Sequence, residues 1–149
     1  MNSGIVIGVD PGVKCGFALV SMRDEVVCVD TWRDMNPFEI LPNYDISGVR
    51  LAVIENAFIG INSRSALSVA RKVGRWQEAL ESRGVRCLLP TASEWQSATL
   101  NISSRTPGAE RKRLAIDLCR NLYGLRLDEH SADAVLLARW GTVEAQRRG

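Results

Sequence analysis

The sequence has a single histidine, His130, and its four cysteines, Cys15, Cys28, Cys87 and Cys119, are scattered with no C-x-x-C pair. Zinc-ribbon and thioredoxin chemistry both need such pairs, so both are excluded. A catalytic Cys–His dyad would have to use His130, and no suitable nucleophile lies near it. The thiols sit in apolar neighbourhoods such as Val26-Val27-Cys28 and Cys87-Leu88-Leu89, as buried, reduced hydrophobes do. No apolar run approaches the roughly 20 residues of a membrane span. Met1 to Gly8 lacks the basic flank and long apolar stretch of a signal peptide. Internal repeats and low-complexity segments are also missing. The expectation is a soluble, cytoplasmic protein.

Charge of one sign is scarce overall, with 19 Lys+Arg against 17 Asp+Glu for a net charge of +2. That balance does not by itself indicate an acidic partner, but it hides an asymmetry. Residues 23–55 carry seven acids and three bases, residues 56–77 four bases and no acid, and residues 103–126 six bases and two acids. The basic clusters Arg71-Lys72-Arg75 and Arg111-Lys112-Arg113 are either solvated helix faces or a local footprint for phosphates. Composition does not choose between them.

At 149 residues and 46% hydrophobic content the chain suits one domain spanning residues 1–149 with a real core. Ile5–Val9 reads as a buried strand broken by Asp10-Pro11-Gly12. Phe17–Val20 and Val26–Trp32 form an antiparallel pair, Asn36–Gly48 a loop, and Leu51–Ile54 a fourth strand stopping at Glu55. A helix capped by Ser63 runs to Leu80, and Val85–Leu89 is the fifth strand. The stretch from Ser97 to Pro107 reads as structureless. Thr106-Pro107 opens a helix with Leu114, Leu118 and Leu122 on one face, ended by Gly124. The last helix, capped by Asp128, runs from about Glu129 past Trp140. The class is α/β with a mixed five-stranded sheet.

Acids punctuate these elements. Asp10 follows the first strand and Glu55 the fourth, so parallel neighbours would bring both carboxylates to one sheet edge. His130 and Asp133 are three apart and share a helix face. Taken singly, Asp10 is a turn residue, Glu55 a solvated strand end, and His130 and Asp133 helix-start residues. Together, at the ends of apolar elements, they make a hard, oxygen-rich donor set suited to Mg²⁺ or Mn²⁺.

Three segments carry a family resemblance. Gly8-Val9-Asp10-Pro11-Gly12-Val13-Lys14-Cys15-Gly16 resembles the opening motif of RuvC-type Holliday-junction resolvases. Val53-Ile54-Glu55-Asn56-Ala57-Phe58, followed by Asn62, Ser65-Ala66-Leu67 and Gly74, resembles their second. His130-Ser131-Ala132-Asp133-Ala134 resembles the closing D/H-x-x-D-A. The resemblance runs from about Gly4 to Trp140 in the same order, and three motifs in register are a specific signal.

It implies a ribonuclease-H-like fold and a homodimer, nucleoid-associated, that cuts four-way DNA junctions in recombination and repair. Asp10, Glu55, His130 and Asp133 would be the catalytic, metal-binding tetrad, using two Mg²⁺ ions or Mn²⁺ in their place. Asp10 would bridge the metals, Glu55 and Asp133 would bind one each, and His130 would complete one. Phe58 falls where the family has an aromatic near the junction, and Lys112 near a DNA-contacting lysine. Paired nicks would leave 5′-phosphate and 3′-hydroxyl ends. No small-molecule cofactor is implied.

The chain departs from the pattern between Trp32 and Val49, which is short and reads without the family's helix. It departs again at Glu94-Trp95-Gln96, where a base is common. Its shortness fits a compact, divergent member, phage- or virus-encoded. Three rivals follow. Asp10, Gly12 and Gly16 also match the D-x-G-x-x-x-G phosphate loop of sugar kinases and actin-like ATPases, but those need a second loop and lobe. The others are a less selective flap or fork nuclease and a non-catalytic junction-binding module.

Overall fold

The computed structural model describes residues 4–56, 63–103 and 105–148. Its frame is a five-stranded sheet of β1 (Ile5–Asp10), β2 (Lys14–Ser21), β3 (Val26–Arg33), β4 (Val49–Ile54) and β5 (Arg86–Leu88). The strand order is β3-β2-β1-β4-β5. β1 pairs antiparallel with β2 and parallel with β4, which pairs parallel with β5. The central β1 is apolar from Ile5 to Val9, as a strand covered on both faces is.

Alternation along each strand divides the core in two. Ile7, Val9, Phe17 and Ile54 point to the side of α2 (Ser63–Glu81) and pack with Trp76 and Leu80. Val6, Val20, Leu51 and Val53 point to α5 (Glu129–Arg148), among Val135, Leu136 and Leu137. Among the described residues, no helix is long and apolar enough to cross a membrane.

Small residues set the depth of α5. A Cβ on Gly8 would lie 2.0 Å from the carbonyl oxygen of Ala134, and one on Gly16 2.1 Å from that of His130. The helix therefore rests directly on β1 and β2, and this holds His130 and Asp133 over Asp10. Gly16→Ala must push helix backbone off the sheet, with no flexible side chain to yield. A cost at or above the upper end of the usual overpacking range, about 3 kcal/mol, is expected. In a chain of this size each 1 kcal/mol moves the melting midpoint by about 2–4 °C. A Gly16→Ala protein melting with the wild type would contradict this close contact.

All five strands fall where the sequence places them, but the helices need corrections. Asn36–Gly48 is not a plain loop. Asn36 caps a short α1 (Pro37–Ile40) by accepting from the Phe38 N–H, and a 3-10 turn follows at Leu41–Asn43. Ser63 is the first residue of α2 rather than its cap. The stretch read as structureless begins inside α3 (Ala92–Leu100), which starts at a reciprocal capping box between Thr91 and Glu94. In α4 (Gly108–Tyr123) the cap is Pro107, one residue later than expected. Its buried positions are Ala115 and Cys119, whereas Leu122 is exposed. Gly124 ends α4 at φ 70°, and Asp128 Oδ1 caps α5 by accepting from the Ser131 N–H at 2.8 Å. The four cysteines are free, with burial pushing the Cys15, Cys87 and Cys119 thiols up to about 12 and Cys28 to about 11.

Candidate active site

The parallel pairing of β1 with β4 decides where the first two acids go. Val9 lies opposite Ile54, and the Glu55 N–H donates to the Val9 carbonyl at 3.1 Å, so Asp10 and Glu55 leave the sheet side by side. α5 crosses above them. His130 Nδ1 lies 3.2 Å from Asp10 Oδ2. Lys14 Nζ reaches Asp128 Oδ2 at 2.6 Å, pinning the start of β2 to the start of α5. The expected tetrad is thus gathered at one edge from three elements.

Its electrostatics are those of crowded acids in a poorly solvated place. Burial raises the Asp10 carboxyl above its ordinary range, partly offset by the His130 contact. Glu55 is pushed up to about 7, chiefly by burial and then by the Asp10 charge, while a bond from Trp95 opposes the shift. Asp133 goes to about 9, by burial first and then by the charges of Asp10, Glu55 and Glu129. His130 is raised by its contact with Asp10, against the effect of burial. Like charges that cannot all ionise mark shared carboxylate sites.

Among the described residues, no group of three His, Cys, Asp or Glu side chains stands ready to hold a metal ion. Instead, Trp95 Nε1 donates to Glu55 Oε1 at 2.7 Å, and Asp10 faces His130. By donor chemistry the set does fit a hard divalent cation. Burial and mutual repulsion push all three carboxyls toward their neutral forms, and neither Glu55 nor Asp133 has a lysine or arginine ion-pair partner among the described residues. A cation would supply what they lack.

Basic residues line two cavities, one of which holds two of the acids. A groove of about 440 Å³, lined by Glu55, Asp133, Gln96, Arg111 and Lys112, opens toward α4. A second cavity of about 430 Å³ lies beyond the Pro11-Gly12 turn, with Lys72 and Arg75 of α2 on its wall beside Asp34 and Glu39. Arg71 and Arg113 are exposed on the same helices. Lys112 Nζ pairs with Glu129 Oε2 at 3.2 Å.

Arg111 stands apart from that basic set. Its guanidinium donates to the Thr106 carbonyl (2.8 Å), Gln96 Oε1 (2.9 Å) and the Ser103 carbonyl (3.1 Å), fastening α4 to α3. Phe58 lies outside the described residues.

Nothing in the sequence marks Trp95 and Glu129 as belonging to the site. Trp95 belongs to the unforeseen α3, whose signal was Thr91-x-x-Glu94. Glu129 Oε1 lies 3.2 Å from His130 Nε2, so both ring nitrogens of the histidine meet carboxylates.

No family model and no curated protein matches the sequence. Solved structures do. A Thermus thermophilus RuvC structure superposes with a TM-score of 0.73 over 97% of this chain and 96% of that one, at 17% identity. This chain has the RuvC fold. T. thermophilus RuvC in complex with a Holliday junction substrate gives a TM-score of 0.71, over 96% of this chain and 95% of that one, at 16% identity. Both likenesses run over nearly the whole chain, so the shared fold takes in the sheet and the helices packed on it.

Proposed function

We propose that the protein is a metal-dependent endonuclease that resolves four-way DNA junctions. The observation that carries the reading is the gathering of Asp10, Glu55 and Asp133 at one sheet edge, with Arg111 and Lys112 of α4 lining the same groove as Glu55 and Asp133. The RuvC fold adds to it, since one of the similar structures is in complex with a Holliday junction substrate. Asp10, at the middle of the edge, would be the central residue holding the metal. Glu55 and Asp133 would hold the metal beside it, and His130 would join them through a ring nitrogen.

Bound Mg²⁺ would supply an activated water and stabilise the leaving 3′ oxygen, giving 5′-phosphate and 3′-hydroxyl ends. The protein's own groups bind and orient. The acids repel a phosphate until their charge is neutralised, while Lys72, Arg75 and Lys112 attract it from both sides. A homodimer would present two such sites to the opposed strands of a junction. A flap or fork nuclease uses the same chemistry, and a binding module would have no use for three costly acids, Asp10 buried and Glu55 and Asp133 half-buried. Digestion of a four-way junction beside matched fork, flap, duplex and single-stranded DNA separates these readings. Junction resolution predicts paired nicks in the four-way substrate at concentrations that leave duplex intact. Equal cutting of forks and flaps would favour the less selective nuclease.

Salt dependence tests the basic helices. Log affinity should fall by about 0.9 per phosphate contact for each unit of log salt, and losing one contact should flatten the slope by about one unit. Lys112→Ala should do this with little effect on stability, because its only described ion pair is at the surface. Arg111→Ala should instead lower the melting midpoint, since its bonds are spent between α3 and α4. An unchanged slope for Lys112→Ala would return that lysine to a solvated helix face.

A further inference from the structure

Trp95 is fully buried, one of the largest side chains in the core, yet its one polar atom is directed at a site acid. A buried indole N–H needs an acceptor, and a backbone carbonyl would satisfy it at no electrostatic cost. Here the acceptor is Glu55 Oε1 at 2.7 Å, on a carboxylate that burial and Asp10 push toward its neutral form.

The two residues are also fixed relative to one another. The Asn56 N–H, just after Glu55, donates to the Pro90 carbonyl at 2.8 Å, just before α3. The Thr91–Glu94 capping box holds the first turn of α3, and the Gln96–Arg111 bond ties the next residue to α4. The donor is therefore mounted on a framework braced on both sides.

We infer that Trp95 is the positioning residue of the candidate metal centre, its indole N–H fixing one oxygen of Glu55 and leaving Oε2 to face the cation. Partners behind a ligand fix its orientation and typically contribute 10–100-fold to metal affinity or activity. This inference rests on the metal-dependent reading above and deepens it. α3 then has a function besides packing, since it carries the group that aims Glu55.

The test combines spectroscopy of the ¹⁵N-labelled full chain with metal titration. The chain has four tryptophans, so four indole N–H peaks report separately. Titrating Mg²⁺ should move the Trp95 peak more than those of Trp32, Trp76 and Trp140. Trp95→Phe keeps the ring and removes the donor. It should raise the Mg²⁺ concentration for half-maximal nicking by about 10–100-fold, and excess Mg²⁺ should restore most of the turnover.

A folded Trp95→Phe protein with wild-type Mg²⁺ dependence would overturn the inference while leaving the nuclease reading intact. So would a still Trp95 peak while Mg²⁺ moves other resonances. If Mg²⁺ moves nothing in the wild type, both fall together. The wild-type titration does not need a stable Trp95 variant, because Glu55→Gln identifies the same peak by changing its acceptor.

Discussion

Asp10→Asn is expected to abolish nicking while leaving junction binding intact or tighter. Asparagine keeps the size of the side chain and an oxygen facing His130, so the edge of the sheet should hold its shape. What goes is the central negative charge shared by the site. Losing one group that stabilises a transition state commonly costs about 10²–10³-fold, and a shared ligand belongs at the upper end of that range or beyond. Binding should respond in the opposite sense, because one fewer charge faces the phosphates. Nicking and gel-shift assays on one preparation would separate the two effects. Substantial nicking by Asp10→Asn would remove Asp10 from the centre of the site.

Asp133→Asn should stabilise the metal-free protein at alkaline pH and abolish its stabilisation by Mg²⁺. Asp133 is raised from the ordinary carboxylate range to about 9 and Glu55 to about 7, with burial the first cause of both. An acid whose pKa is higher folded than unfolded holds its proton more tightly in the folded state. Its contribution is full below the unfolded pKa and disappears as pH rises through the folded one. The metal-free wild type should therefore lose stability progressively from about pH 4 to about pH 9. The asparagine variant should lose less, and melt several degrees higher near pH 9, at about 2–4 °C per kcal/mol.

Mg²⁺ must displace these protons, so wild-type metal affinity should climb over the same interval and binding should release protons. Calorimetry in two buffers of different ionisation enthalpy counts them. A flat pH–stability profile shared by wild type and variant would show that Asp133 is not crowded by Asp10 and Glu55.

The candidate site was legible because its acids sit where apolar runs stop. Asp10 follows the apolar run Ile5–Val9 and Glu55 the apolar run Leu51–Ile54, and β1 pairing with β4 turned two sequence positions into one edge. Asp133 was visible as the charge bordering Ala134 to Leu137. The helices between strands were less legible for a physical reason. α3 buries only Trp95, so it has no apolar stripe to reveal its period, and its capping box was the sole local signal. The leucines of α4 recur every four residues, which drifts about 40° per step on a 3.6-residue helix. The stripe consequently leaves the core, with Leu122 exposed while Ala115 and Cys119 carry the contact. α1 was hidden in a proline-containing stretch where Asn36 supplied the cap. Arg111 looked like part of a basic cluster, and only the folded chain shows its guanidinium turned onto Gln96 and two carbonyls. The Lys112–Glu129 and Glu129–His130 contacts likewise join elements that no spacing rule connects.

The most direct measurement uses a synthetic four-way junction labelled on each strand in turn, incubated with the wild-type protein and Mg²⁺, then treated with DNA ligase. The account predicts symmetric nicks in two opposed strands, none when the metal is chelated, and resealing by ligase because hydrolysis leaves a 5′-phosphate beside a 3′-hydroxyl. A folded protein that binds the junction but leaves all four strands intact with Mg²⁺ would contradict it, as would nicks that ligase does not reseal.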